Sequence, residues 1–374
     1  MLRKLLSIVS LPVFFASLSF AQTPAFEDLQ PLTAADIQAG VLVSDDLQAQ
    51  KKWGVSYILN GTLTVNDEKI LFNTPDGRIF ELDMSRRKAR KFNGQTVHLE
   101  AKAKQADDMS VLKVSGIEKY DPALHELTLP PYQAKRRRAE VVSDLDGTLT
   151  VNNIRWFQAS VPAKDSFDWA TASIKPELVK NVYFVKKPFA PEWIAAHSLL
   201  TFTFEKGGLT DANGNEASGL SLTIEAFLRE GQSYGLVSGM KKKFGIVWML
   251  TTWEDYAART ALYDTDSPRL IPYAVNFTHE QKAQMVREAV KLAAVNRDGE
   301  FYDTITNNCT NNLVLIMNHV LPENRRMKMW TIPYLVFNLR ATMPVWVPAY
   351  LQKKGLLGEE MAPVTAANYQ IPLP

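Results

Sequence analysis

The chain has 374 residues, of which 22% are charged and 46% are hydrophobic, a composition typical of globular proteins and ample for two domains. Its formal net charge of +2 is too small to indicate a nucleic-acid-binding protein. A single cysteine, Cys309, excludes an internal disulfide, and its neighbourhood must decide between an inert apolar role and a chemical one.

Residues 1–21 have the pattern of a secretory signal peptide. Arg3 and Lys4 precede an apolar stretch at 5–20, and Ser19 and Ala21 place small residues before a cleavage site after Ala21. The stretch is shorter than the roughly 20 residues that a membrane-spanning helix needs. We therefore predict a periplasmic or secreted protein, located there after signal-peptide cleavage.

Residues 22–120 are predicted to form a small N-terminal β-barrel domain after an irregular lead-in. Short alternating segments between turn residues indicate strands at 57–65, 69–72, 78–82, 96–101 and 111–117. Their number and order resemble an oligonucleotide/oligosaccharide-binding (OB) fold. Because no ladder of aromatic residues with basic residues between them is present, we expect a structural or docking role and no nucleic-acid partner.

A linker is predicted at 121–140, where three prolines precede a basic run at 135–138. A second basic run lies at 86–91. Both runs are interpreted as solvated, and attraction to an anionic membrane or cell-wall polymer is the alternative.

Residues 141–374 are predicted to form the second domain. Strands are expected near 141 and at 148–155, 182–185, 198–204 and 220–227, the last two as a hairpin with a long connection. Thr278 and Gln281 form a capping box for a helix that should end at Gly299. A second helix, apolar all round and therefore buried, should run from Cys309 to about Val320.

The aromatic-rich tail at 330–351 contains three prolines, which rule out an ordinary membrane-spanning helix. This tail is expected either to cover the core or to touch lipid. The predicted fold class is α+β.

Residues 141–150 resemble the first motif of haloacid-dehalogenase-type phosphatases, with Asp144 and Asp146 in the positions of the two aspartates. That site requires a parallel sheet with the aspartates at a strand end. Here another strand follows at once, and Asp146-Gly147 is a hairpin-turn signal. We interpret the segment as a hairpin rather than as a phosphatase site.

Cys309 is predicted to lie in the first turn of the second helix. The unpaired amides and the positive dipole end of a helix start favour a thiolate over a thiol. The same amides can stabilise an oxyanion. The candidate residues for substrate or oxyanion contacts are Asn308, Thr310 and Ser221.

His197 is the candidate base for this thiol, chosen by elimination among five histidines. The others are His98 in the barrel, His125 in the linker, His279 at a solvated helix start and His319, about 15 Å along the helix from Cys309. The alternative is a core histidine whose nitrogens are satisfied.

Glu225 is the candidate that orients the imidazole, since a carboxylate would stabilise the imidazolium. Strand alternation places Ser221 and Thr223 on the same face, and a surface glutamate is the alternative interpretation. No cluster with metal-ligand spacing and no Gly-rich phosphate loop is present, so neither a metal nor a cofactor is predicted.

The order of His197 before Cys309, and the Asn308-Cys309 pair at a helix start, resemble the circularly permuted papain-like enzymes, which include NlpC-type relatives and lecithin:retinol acyltransferase. A closer resemblance is to the Lnb N-terminal periplasmic domain family, over about residues 145–357. The segments that carry it are 151–157, 196–199, 222–226 and 301–310. The resemblance implies a permuted papain-like α+β domain and an envelope cysteine enzyme of the lipoprotein transacylase type.

The resulting hypothesis is an exported cysteine enzyme that acts on an acyl bond of a lipid or lipoprotein through a thioester on Cys309. A cell-wall peptide hydrolase on the same scaffold and a non-catalytic envelope binding module are the alternatives. The expected partners are therefore a lipid, lipoprotein or peptidoglycan substrate and, through the basic runs or the tail, a membrane surface. Nothing in the sequence indicates the oligomeric state.

Overall fold

A computed structural model describes residues 55–103, 111–125, 136–157, 161–228, 234–328, 330–332, 336–338, 340 and 343–374. The predicted signal peptide and lead-in, the centre of the predicted linker and part of the aromatic-rich tail lie outside these residues. The mixed α+β fold class is confirmed.

The N-terminal strands close into a five-stranded barrel in the order β1-β2-β3-β5-β4. They are β1 (Ser56–Val65), β2 (Ile70–Asn73), β3 (Ile79–Asp83), β4 (Thr96–Ala103) and β5 (Val111–Lys119). All five strands predicted for this barrel are confirmed. Their alternating pattern arises because every second side chain, such as Leu63, Val97 and Leu99, fills the barrel interior. The first basic run forms a short helix, α1 (Arg86–Ala89), and a 3₁₀ turn (Arg90–Phe92).

The predicted linker begins with structure rather than with free chain. A short helix, α2 (Pro122–His125), is attached to the barrel where Asn60 Nδ2 donates to the main-chain oxygen of His125 at 2.8 Å. At its other end, Arg136, Arg137 and Arg138 are half-buried rather than solvated. The basic run therefore contributes internal contacts.

Ten strands between residues 140 and 360 form one sheet in the order β11-β8-β7-β13-β12-β10-β9-β14-β17, with β6 beside β7. Their bounds are β6 (Glu140–Leu145), β7 (Thr148–Trp156), β8 (Asp168–Ile174), β9 (Val179–Pro188), β10 (Ala196–Phe204), β11 (Leu209–Asp211), β12 (Gly219–Phe227), β13 (Gly245–Thr252), β14 (Ile271–Val275) and β17 (Leu357–Glu360). A separate pair consists of β15 (Trp330–Ile332) and β16 (Val336–Phe337).

Strand β13 lies between β12 and β7 and is absent from the sequence-based expectation. All its residues are buried, so it lacks the alternation of apolar and polar residues that identifies a half-exposed strand. The predicted pairing of β10 with β12 is confirmed as antiparallel, with Leu200 opposite Leu222.

The remaining helices are α3 (Leu236–Gly239), α4 (Trp253–Tyr263), α5 (His279–Ala294), α6 (Cys309–His319) and α7 (Val347–Lys353). Helix α5 has the predicted capping box of Thr278 and Gln281, but it ends at Ala294, and Gly299 lies in a later turn with φ +84°. Helix α6 is buried from Cys309 to Asn318, as predicted. In the part of the chain that the structure describes, no helix has the length and hydrophobicity needed to cross a bilayer.

The phosphatase-like segment is a β-hairpin. Strands β6 and β7 pair antiparallel, and the turn between them has positive φ at Asp146 (49°) and Gly147 (75°), as a type I′ turn requires. The Asp144 carboxylate accepts a hydrogen bond from Arg287 Nη1 at 3.1 Å. The geometry of a parallel strand end is therefore absent, which agrees with the hairpin interpretation.

Candidate active site

Strand β10 and helix α6 bring His197 and Cys309 together. His197 is the second residue of β10, Cys309 is the first residue of α6, and both line one cavity. The His197 side chain and the N–H of Ser198 both hydrogen-bond the sulfur. Beside them, the hydroxyls of Ser198 and Thr310 lie 3.1 Å apart and join the helix start to the strand.

The asparagines around Cys309 build the turn that starts α6. Asn308 Oδ1 accepts the N–H of Asn311 (2.8 Å), and Asn311 Oδ1 accepts the N–H of Asn308 (3.0 Å), which forms a capping box. Asn312 Nδ2 donates to the main-chain oxygen of Asn308 (2.8 Å) and to Asn307 Oδ1 (3.1 Å). This network holds the cysteine in one position.

Two main-chain N–H groups at the start of α6 are not used in hydrogen bonds within the helix. Cys309 and Thr310 are the first two residues of α6, so their N–H groups have no carbonyl acceptor within the helix. Among the described residues, neither amide donates to another group. These amides and the positive end of the helix dipole are therefore available to hold an oxyanion beside the sulfur.

The Cys309 thiol is buried, yet its pKa is below the ordinary value. Burial alone would raise the pKa, because a thiolate loses its hydration. The charge of His197 and its hydrogen bond to the sulfur, helped by Ser198 and Thr310, outweigh burial and lower the pKa. Because the thiolate is the nucleophilic form, these surroundings favour reactivity.

A threonine hydroxyl contacts the other side of His197. His197 Nε2 lies 2.7 Å from Thr223 Oγ1, which donates onward to Glu225 Oε1 at 3.4 Å. Because the Thr223 hydroxyl donates its proton to the Glu225 carboxylate, its oxygen must accept a hydrogen bond from Nε2–H of His197. The other ring nitrogen, Nδ1, is then available to interact with the Cys309 sulfur. Thr223 is thus the direct hydrogen-bond partner of the imidazole, and the predicted residue Glu225 contacts Thr223 rather than His197.

Glu225 is held ionised by a cation from the predicted linker. Arg136 Nε lies 2.6 Å from Glu225 Oε2, and both side chains line the cavity. Burial would raise the pKa of Glu225, but the charges of Arg136 and then His197 lower it to about 2. The ionised carboxylate therefore places a negative charge on the Thr223 side of His197. For Arg136 the only sequence signal was its basic run.

Tyr302 is a further residue at the sulfur that sequence reasoning did not select. Burial, then the charge of Cys309, raises the pKa of the phenol far above its ordinary value, and a hydrogen bond with Cys309 adds to this. The ring lines the cavity and meets Tyr234 edge-on, with centroids 5.9 Å apart. A phenol that stays protonated can donate to negative charge in the site. Its position just ahead of Cys309 was the available signal.

The three candidate residues for substrate or oxyanion contacts lie in different surroundings. Asn308 lines the cavity, but its side chain caps α6 and donates to the main-chain oxygen of Thr304 at 2.6 Å. Thr310 has its hydroxyl 3.7 Å from the sulfur. Ser221 does not line the cavity, and its hydroxyl lies 2.8 Å from that of Thr201. The geometry favours the Thr310 amide over the side chains of Asn308 and Ser221.

The cavity has a volume of about 840 Å³, enough for a sizeable organic group. Much of its wall is apolar, including Phe189, Pro191, Ile194, Leu228 and Met343. Charged groups also line it, among them Lys187 and Asp264, whose Nζ and Oδ2 atoms lie 2.5 Å apart. The site therefore offers an apolar surface next to a polar reaction centre.

Comparison with known families agrees with the sequence resemblance. Residues 166–339 match the family described as the Lnb N-terminal periplasmic domain, and this segment includes His197, Glu225 and Cys309. The predicted resemblance to the Lnb N-terminal periplasmic domain family is thereby confirmed, and the description of the family supports an envelope location. Residues 60–120 match a family described as a protein of unknown function (DUF5818). No curated protein and no solved structure gave a match.

Proposed function

We propose that this chain, which carries an Lnb N-terminal periplasmic domain at residues 166–339, is an envelope cysteine enzyme that breaks an acyl bond through a thioester. The observation that carries the proposal is the contact of His197 with a helix-start cysteine whose pKa is lowered. A buried cysteine with an inert apolar role would have a raised pKa instead.

In the proposed reaction, His197 holds the thiol proton while the Cys309 sulfur attacks the carbonyl carbon of the substrate. The N–H groups of Cys309 and Thr310 stabilise the oxyanion of the tetrahedral intermediate. Its collapse breaks the bond to the leaving group, which takes the proton from His197, and leaves an acyl thioester on Cys309. Water, an alcohol or an amine, deprotonated by His197, then attacks the thioester and regenerates the thiol.

The topology supports the finer interpretations of the fold. The histidine lies on a central strand, and the later cysteine opens a helix packed against that strand, as expected of a permuted papain-like domain. The barrel order β1-β2-β3-β5-β4 supports the OB-like interpretation of the N-terminal domain.

The proposed substrate is an acyl group carried by a lipid or lipoprotein, which the apolar wall of the cavity can accept. We expect incubation with a synthetic diacylated lipopeptide to leave an acyl adduct on the peptide that contains Cys309, detected by mass spectrometry. Purified peptidoglycan serves as the competing substrate, and the Cys309→Ala variant is the negative control.

Each result of this experiment has a definite meaning. An adduct from the lipopeptide that is absent in Cys309→Ala supports the acyl-transfer proposal. Release of peptides from peptidoglycan without such an adduct would replace it with the cell-wall hydrolase. If neither substrate reacts, the proposal fails in favour of a binding module.

Arg136 is expected to act through the ionisation of Glu225. In Arg136→Gln, the positive charge that lowers the pKa of Glu225 is removed, and burial, which raises this pKa, then has more effect. The Glu225 carboxylate should therefore become protonated at a higher pH than in the wild type. The acid limb of the activity profile should therefore move to higher pH, with a loss of roughly tenfold or more at pH 6.

The neighbouring Arg137→Gln variant is a matched control, because Arg137 lies over the Trp169 ring at 4.9 Å and outside the cavity lining. It should keep the wild-type profile. An equal, pH-independent loss of activity in both variants would contradict the role given to Arg136.

A further inference from the structure

Three strands of the barrel place a row of polar side chains side by side on its surface. The register pairs Asn60 on β1 with His98 on β4, and His98 with Glu118 on β5. Helix α2 adds His125, whose ring stacks on that of His98 with centroids 4.2 Å apart. Two imidazoles and one carboxylate therefore meet outside the candidate active site.

We propose that His98, Glu118 and His125 bind a divalent transition-metal ion such as Zn²⁺. Their ligand atoms all lie within 4.8 Å of one another. Around a tetrahedral zinc ion, with metal–ligand bonds of 2.0–2.1 Å, ligand atoms lie about 3.3 Å apart, so only a small contraction is needed. Two nitrogen ligands and one oxygen ligand suit zinc, copper or nickel better than calcium or magnesium, which prefer oxygen.

Asn60 gives His98 the tautomer that a metal ligand needs. Asn60 Nδ2 donates to the main-chain oxygen of His125 at 2.8 Å, so Oδ1 faces His98, where it lies 2.8 Å from Nδ1. The proton of His98 is therefore on Nδ1, and Nε2 presents its lone pair. A hydrogen bond from the second nitrogen to an oxygen acceptor is typical of metal-bound histidines.

His125 is the ligand that must adjust. Its Nε2 lies 3.1 Å from Glu118 Oε1, and its Nδ1 accepts the N–H of Asp121 at 2.9 Å. Ligation through Nε2 requires the proton on Nδ1 and a turn of the ring out of the stack with His98, since a metal lies near the plane of each imidazole. The cost is one hydrogen bond at the exposed Asp121, which water can replace.

The sequence does not indicate this site because its ligands come from two strands and a helix and follow no short spacing. It is also independent of the proposed acyl chemistry, and its test measures binding rather than turnover. Because Cys309 and His197 could together bind zinc, the test uses the Cys309→Ser chain as its parent.

In this parent chain, calorimetric titration with ZnCl₂ should show about one equivalent of bound zinc, and Co²⁺ should give visible d–d bands. His98→Ala and His125→Ala should each weaken binding by at least about tenfold, and Glu118→Gln should weaken it measurably. His279→Ala, which removes a histidine that is not part of the cluster, should leave binding unchanged.

Circular dichroism and thermal melting of each variant will separate loss of the site from loss of the fold. A parent chain that binds no zinc, or binding that survives in both folded histidine variants, would overturn the proposal. Binding that depends on the histidines and is unaffected by Glu118→Gln would overturn the three-ligand site.

Discussion

Replacing Cys309 by alanine is expected to abolish labelling of the chain by an acyl-directed activity probe and to lower turnover by at least about 10⁴-fold. The reason is that the sulfur is the atom proposed to form the covalent bond. The remaining groups, the helix-start amides and His197, could stabilise an attacked carbonyl but not form a thioester. Probe labelling followed by peptide mapping measures the effect directly.

Cys309→Ser provides the matched control for structure. It keeps a small polar side chain in the position fixed by the asparagine network, so the thermal unfolding temperature should remain close to that of the wild type. Both variants should fail to label, because a serine hydroxyl with an ordinary pKa is a weak nucleophile here. Equal labelling of the wild type and Cys309→Ala would show that another residue reacts.

Replacing His197 by alanine is expected to raise the pKa of the Cys309 thiol, because the opposing effect of burial then dominates. The rate of alkylation by iodoacetamide increases as the thiol ionises, so in His197→Ala this increase should occur at a higher pH than in the wild type. At pH 7 the variant should react at least about tenfold more slowly than the wild type. Even a cysteine with an ordinary pKa is only a few per cent thiolate at this pH, and burial in the variant lowers that fraction further. Acyl transfer should fall by about 10²–10⁴-fold, the usual contribution of a general acid–base group.

His279→Ala is the control for this experiment, because His279 begins α5 on the surface. It should show the wild-type alkylation profile. If the profile of His197→Ala instead coincides with that of the wild type, His197 does not set the thiolate population, and the mechanism proposed here is wrong. A wild-type thiol that reacts only at strongly alkaline pH would favour the binding module.

Much of the local structure was predictable from residue patterns. The five barrel strands follow from alternating apolar residues, and the start of α5 follows from the pairing of Thr278 with Gln281. The hairpin turn follows from the Asp146-Gly147 pair, a dipeptide that favours the positive φ values found there. Strand β13 escaped prediction because it is buried on both faces and shows no period of two.

Cys309 was identified from composition, and His197 by elimination, but their contact depends on the packing of α6 against β10. Thr223 was one of several candidates on its strand face, and only the structure gives its hydroxyl a place between His197 and Glu225. Arg136 was interpreted as part of a solvated run and instead pairs with Glu225, 89 positions away.

The sequence by itself determined the five barrel strands, the capped start of α5, the buried helix that Cys309 begins, and the family resemblance. These depend on periodicity, caps, turns and short motifs, which act over a few neighbouring residues. Only the tertiary structure decided which distant side chains meet, as Ser198 and Thr310 do across 112 positions. Strand register and helix packing set such meetings, and they arise from burial of the whole core rather than from any local pattern.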